Sequence, residues 1–120
     1  MIKKLTTFEI DEKLWLKFEE KRVKNIDRTQ KYATMNKSKI LTELIQGYLD
    51  NKIDIDLSIV EKEPQVKSSQ AFHMPLEVFV NLEKRLNEEK NKYIEDLEKF
   101  QTVGTKKNLL IKLIRYYVQK

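Results

Sequence analysis

The chain has 120 residues, 24 Lys and Arg against 19 Asp and Glu, one histidine and no cysteine. That length supports one compact domain, or two very small modules sharing a core, and excludes large catalytic barrels and doubly wound sheets. Without cysteine there is no disulfide, no thiolate metal site and no Cys nucleophile, and a lone His73 excludes a zinc site built from several imidazoles.

The elements follow in chain order. Lys4–Ile10 (KLTTFEI) is rich in Thr and apolar residues and predicts a short strand. Asp11 is placed to cap a helix that carries Leu14, Trp15, Phe18 and Arg22 at helical spacing and weakens over Asn25–Tyr32. Met35-Asn36-Lys37-Ser38 starts a second helix with Asn36 as cap, and Ile40, Leu41, Leu44, Ile45, Tyr48 and Leu49 form its apolar stripe. Asn51–Lys67 reads as a connector: NKIDIDLSIV alternates apolar and polar residues, with some extended structure expected, and EKEPQVK is polar. Ser68–Met74 (SSQAFHM) predicts a second short strand ending at Pro75, which suits the first turn of a helix. One long amphipathic helix is expected over Leu76–Phe100, with Phe79, Leu82, Leu86, Tyr93 and Leu97 on one side. After Val103-Gly104, Thr105 caps a final helix that runs to the C-terminus.

The plan repeats. A shift of 69 lays Ile40, Leu41, Leu44, Ile45, Tyr48 and Leu49 on Leu109, Leu110, Leu113, Ile114, Tyr117 and Val118, and cap Asn36 on cap Thr105. A shift of 64 lays Phe8, Ile10, Leu14, Trp15, Leu16 and Phe18 on Phe72, Met74, Val78, Phe79, Val80 and Leu82. Neither half has enough apolar surface to stand alone, and each strand needs a partner. The expected fold is therefore mainly α with a short central two-stranded antiparallel β-ribbon, four helices on one face of it. It is an internal pseudo-dimer of two strand–helix–helix units, residues 1–50 and 67–120, joined by a connector at 51–66 around one shared core.

Charge is unevenly distributed. The net charge of +5 and a pI near 9.3 favour a polyanionic partner. Arg28–Thr42 holds four basic residues and no acid, and Lys99–Lys120 six and no acid, so a basic stretch follows an acid-rich one in each half. No apolar run approaches the ~20 residues that span a bilayer, and MIKKLTTFEID lacks a signal-peptide core. A cytoplasmic protein without membrane association is expected. No Gly-rich phosphate loop, paired catalytic carboxylates or nucleophile elbow is visible, so neither enzyme activity nor a cofactor is expected.

The two stretches Lys3–Asp50 and Lys67–Lys120, above all HMPLEVFVNLEK and MNKSKILTELIQGYL, resemble the ribbon-helix-helix DNA-binding proteins (Arc, MetJ and CopG relatives). In that family two copies dimerise and the ribbon enters the DNA major groove. Both copies are in one chain here, as in tandem members among the accessory proteins of conjugative plasmid transfer. With Phe8, Ile10, Phe72 and Met74 in the core, strand alternation turns Leu5, Thr7, Glu9, Ser69, Ala71 and His73 outward. The resemblance implies that these six are the base-reading set. It further implies phosphate contacts at the N-termini of the second helices, from Asn36, Lys37, Ser38 and Lys39 in one half and Thr105, Lys106, Lys107 and Asn108 in the other. Lys3, Lys4 and Lys67 would add backbone contacts beside the ribbon.

Family ribbons usually offer Arg, Lys, Gln or Asn to the bases, and the outward set here departs from that. Glu9 can accept from cytosine, and Leu5, Thr7 or Ala71 can touch a thymine methyl. The resemblance thus implies a double-stranded DNA-binding protein that acts as a monomer on an asymmetric site. Its expected role is an accessory factor at the origin-of-transfer region, alongside other DNA-transfer or secretion proteins. Transcriptional repression is an alternative, and a protein-interaction adaptor that no longer binds DNA is another from a different class. The lysine clusters also read as solvated helix faces.

Overall fold

A computed structural model describes residues 2–24, 36–60 and 63–120. The order is β1 (Lys3–Asp11), α1 (Glu12–Lys24), α2 (Lys37–Leu49), β2 (Lys67–Pro75), α3 (Leu76–Asn91), α4 (Leu97–Thr102) and α5 (Lys106–Gln119). Both strands run one residue further at each end than the composition suggests. The weakening expected over Asn25–Tyr32 lies outside the described residues.

The strands pair antiparallel as a two-stranded sheet, from Lys3 opposite Pro75 through Thr7 opposite Ala71 to Asp11 opposite Lys67. Alternation then sorts the side chains. Thr6, Phe8 and Ile10 of β1 and Phe72 and Met74 of β2 are buried against the helices, while Leu5, Thr7, Glu9, Ser69 and His73 are exposed. The ribbon ends are closed by two similar bonds. The Glu12 amide donates to the Val66 carbonyl (3.1 Å), and the Leu76 amide donates to the Ile2 carbonyl (3.0 Å).

The helices cross between the halves: α1 packs on α5, α2 on α3, and α2 on α5. Between them lie Leu14, Trp15 and Phe18 of α1, Leu82 and Leu86 of α3, and the stripes of α2 and α5. Ile40, Leu41, Leu44 and Ile45 are buried, as are Leu109, Leu110, Leu113 and Ile114. An aromatic run joins ribbon to helices. Phe8 meets Phe72 and Trp15 edge-on at 6.0 and 6.1 Å, Trp15 stacks on Phe18 at 4.7 Å, and Phe18 leans on Tyr117 at 5.3 Å.

The caps are where the residue types require them. The Leu14 amide donates to Asp11 Oδ2 (3.2 Å), the Lys39 amide to Asn36 Oδ1 (2.6 Å) and the Asn108 amide to Thr105 Oγ1 (3.1 Å). Pro75 occupies the position before α3, where its missing N–H costs nothing. Asn51, with φ of 59°, takes the left-handed conformation that ends α2, one that Asn tolerates better than most side chains.

One expectation is corrected. The helix expected over Leu76–Phe100 is two helices: α3 stops at Asn91, tight turns carry Lys92–Asp96, and Asp96 caps α4 through the Lys99 amide (3.2 Å). No Gly or Pro marks this break. It is imposed by packing, because α4 must return along α3 for Val103 to be buried. Lys90 over Phe100 (4.5 Å) and Lys99 over Tyr93 (5.5 Å) hold the return, and Leu97, expected on the apolar side, is exposed. The connector forms no strand over its described residues. Its alternation instead sets Ile53, Ile55 and Leu57 down on the core with Asp54 and Asp56 outward, and Leu57 is only 2% exposed. Among the described residues, no helix is long and apolar enough to cross a membrane.

The close return of the chain onto α3 rests on Gly104. A Cβ there would lie 2.6 Å from the Leu86 carbonyl oxygen, a backbone atom that cannot swing aside. At Gly47 the obstacle is the end of the Ile53 side chain (2.8 Å), which can rotate. Gly104→Ala should therefore cost about 1–3 kcal/mol of stability in urea unfolding. Gly47→Ala should be near neutral, since alanine regains about 1 kcal/mol of helix propensity.

Candidate nucleic-acid interface

The outward face of the ribbon is a shallow strip of short side chains in cross-strand pairs: Leu5 with His73, Thr7 with Ala71, Glu9 with Ser69. Five of these six residues are exposed and Ala71 is half-buried. None of the described helices covers this face, because all the buried ribbon side chains are on the other one.

At the Lys3–Pro75 end stands the N-terminus of α2. The His73 amide donates to Ser38 Oγ (3.1 Å), which ties strand to helix, and an open recess there is lined by Lys3, Asn36, Ser38, Lys39, His73 and Pro75 among others. The Lys39 amide is spent on the Asn36 cap, so the backbone donors that face outward are those of Lys37 and Ser38. Lys3 and Lys39 are exposed, and neither forms an ion pair with a described residue. Lys37 is half-buried, with its ammonium 5.8 Å from the Trp15 ring centre.

The N-terminus of α5 stands at the opposite end, beside Lys67. Here a groove is lined by Thr7, Glu9, Glu63, Lys67, Ser69, Ala71 and Lys107. Lys106 pairs with Glu83 and lies 4.9 Å over Phe79, a ring that Lys4 also approaches at 5.5 Å. Lys107 Nζ donates to both oxygens of Glu63 (2.7 and 3.0 Å), and Lys67 Nζ lies 2.9 Å from Glu63 and 3.6 Å from Glu9. Asn108 is the expected contact that the structure turns inward. It is 6% exposed, and its side-chain amide donates to the carbonyls of Leu57 (3.2 Å) and Val103 (3.1 Å), so it nails the connector to α5 and presents nothing at the surface.

Glu63 is the residue that the sequence does not single out. It sits in a polar stretch read as connector, four residues before Lys67, and only the fold brings it to Lys107 as well. The hydrogen bond from Lys107, then that from Lys67, pulls its carboxyl from 4.5 down to about 2. Lys67 is raised above its ordinary 10.5, first by the same hydrogen bond to Glu63. Among the described residues, no group of three His, Asp or Glu side chains is arranged to hold a metal ion. Comparison with protein-family models, curated proteins and solved structures finds no match.

The bridge has a definite pH window. Glu63 is lowered on folding, so its stabilisation is complete above about pH 4.5 and is lost as pH falls through about 2. Lys67 is raised, so its part is complete below its ordinary pKa and is lost only as pH rises through the higher folded value. A carbon-detected NMR titration of Glu63 should give a midpoint near 2, and Lys107→Ala should move it back towards 4.5. An unshifted midpoint in the wild type would show that the bridge is not formed in solution.

Proposed function

We propose that the chain is an internal pseudo-dimer of two strand–helix–helix units that binds double-stranded DNA through the outward face of its ribbon. The observation that carries this reading is a mostly polar two-stranded ribbon, its outer face covered by none of the described elements, with a side-chain-capped helix N-terminus at each end. A two-stranded ribbon matches the width of the major groove, where base edges present distinguishable donors and acceptors. Backbone amides and lysines at the two flanking helices then suit phosphates on either side of that groove.

Matched contacts support the duplication. The bonds Glu12 to Val66 and Leu76 to Ile2 exchange under the shift of 64 read from the sequence, which also relates Thr7 to Ala71, opposite each other at the centre of the ladder. The two cation–π contacts, Lys37 over Trp15 and Lys106 over Phe79, correspond in the same way through shifts of 69 and 64. Because the units share one core, a single chain would bind without prior dimerisation. Because their outward residues differ, the preferred site would be asymmetric, unlike the palindromes read by homodimers.

The role that fits best is a cytoplasmic accessory factor at the origin-of-transfer region of a conjugative element, working with other transfer or secretion proteins. Repression of its own or neighbouring genes uses the same chemistry. Recovery of sheared source DNA by the purified protein at ~150 mM salt, followed by sequencing, tests the reading. One asymmetric site should be enriched, beside a nicking site for the first role or over a promoter for the second. No enrichment would favour a protein-contact adaptor, a reading to which the carboxylates of Glu9 and Glu63 beside the ribbon give some support.

Two substitution sets separate positioning from reading. Lys3→Ala with Lys39→Ala should weaken binding to every sequence about tenfold and flatten the salt dependence by about two units of slope, as loss of two phosphate contacts requires. Thr7→Ala and His73→Ala should instead change which sequences are preferred, with about 1–3 kcal/mol at the affected base pairs in a competition selection.

A further inference from the structure

The two ends of the ribbon are built alike in backbone and differ in whether their lysines are ion-paired. At the α2 end, Lys3 and Lys39 stand exposed without a carboxylate partner among the described residues. At the α5 end, Lys67, the counterpart of Lys3, and Lys107, which stands where the first half has Ser38, are both occupied. Glu63 takes Lys107 at 2.7 and 3.0 Å and Lys67 at 2.9 Å, with Glu9 at 3.6 Å from the same Lys67 ammonium. A carboxylate bridging a strand lysine and a helix-N-terminal lysine sits where a phosphate oxygen would be expected to sit.

The backbone holds Glu63 in that position. It precedes Pro64, which restricts it to extended conformations, and the chain is fixed again at Val66, whose carbonyl accepts from the Glu12 amide (3.1 Å). Exposed pairs of this kind are individually weak, so a polyanion of high charge density can displace the carboxylate. They still lower the charge that this end offers.

We propose that Glu63 acts as an internal occupant of one phosphate position, so that a duplex engages the Lys3/Lys39 end first and gains the Lys67/Lys107 end only by displacing the connector carboxylate. The device rests on the DNA-binding reading above and adds a polarity to it. Glu63 thereby sets the affinity of one half-site relative to the other and reduces indiscriminate binding to any duplex.

The test compares the wild type, Glu63→Gln and Glu95→Gln on a short mixed-sequence duplex by fluorescence anisotropy between ~50 and ~200 mM salt. Glu95 lies in the turn between α3 and α4, and its substitution makes the same change in net charge away from the ribbon. Glu63→Gln should bind about three- to tenfold more tightly than the other two, as expected for freeing two surface lysines. Its salt slope should be steeper by about one to two units, because each additional phosphate neutralised adds about 0.9. Equal behaviour of the two variants, or weaker binding by Glu63→Gln, would overturn the role of Glu63 while leaving DNA binding intact. If none of the three binds the duplex even at ~50 mM salt, the DNA-binding reading fails and the inference fails with it.

Discussion

The antiparallel pairing of β1 with β2 is the constraint on which the rest of the molecule depends. A single ladder has one face to bury, and neither strand has another partner among the described residues. The register that sets Lys3 opposite Pro75 and Asp11 opposite Lys67 also sets Phe8 and Phe72 edge to face at the centre of the core. From those two rings the aromatic contacts run through Trp15 and Phe18 to Tyr117, so strand pairing and helix packing form together. Because α1 rests on α5 and α2 on α3, no subset of the helices buries its apolar stripe without crossing to the other half of the chain.

The candidate interface is a product of that same core. Burying Phe8, Ile10, Phe72 and Met74 leaves the alternate residues no place but the outer face. Seating α2 against β2 brings Ser38 to the His73 amide, which delivers a helix N-terminus to the end of the ribbon. Seating α5 does the corresponding thing at the other end. Surface composition, by contrast, is free to differ between halves, because no core contact depends on it. One end has thus kept exposed lysines, and the other has its lysines folded onto Glu63 and Glu83.

The connector belongs to this balance and is more than a tether. Leu57 is as deeply buried as residues of the helices, and Asn108 holds its carbonyl from the first turn of α5. That anchoring uses a polar side chain whose amide hydrogens would be costly to bury unpaired, and both find carbonyls. The same residue whose position in a helix first turn marks it as a surface contact is therefore part of the interior.

Period-two alternation in KLTTFEI and SSQAFHM determined the strands and which side chains face outward, and the stripes from Ile40 and Leu109 determined α2 and α5 with their caps at Asn36 and Thr105. These are local features, decided by bonds and contacts within a few residues, so they are legible in the sequence. The break after Asn91, the inward turn of Asn108 and the pairing of Lys107 with Glu63 were decided by the tertiary structure alone. None has a local signal: no Gly or Pro stands at the break, asparagine in a first helical turn usually faces water, and Glu63 reads as one more acid in a polar stretch. Each depends on a surface that exists only once distant segments have packed. Hence the outward residues of the ribbon were readable in advance, and the pairing of the lysines at each of its ends was not.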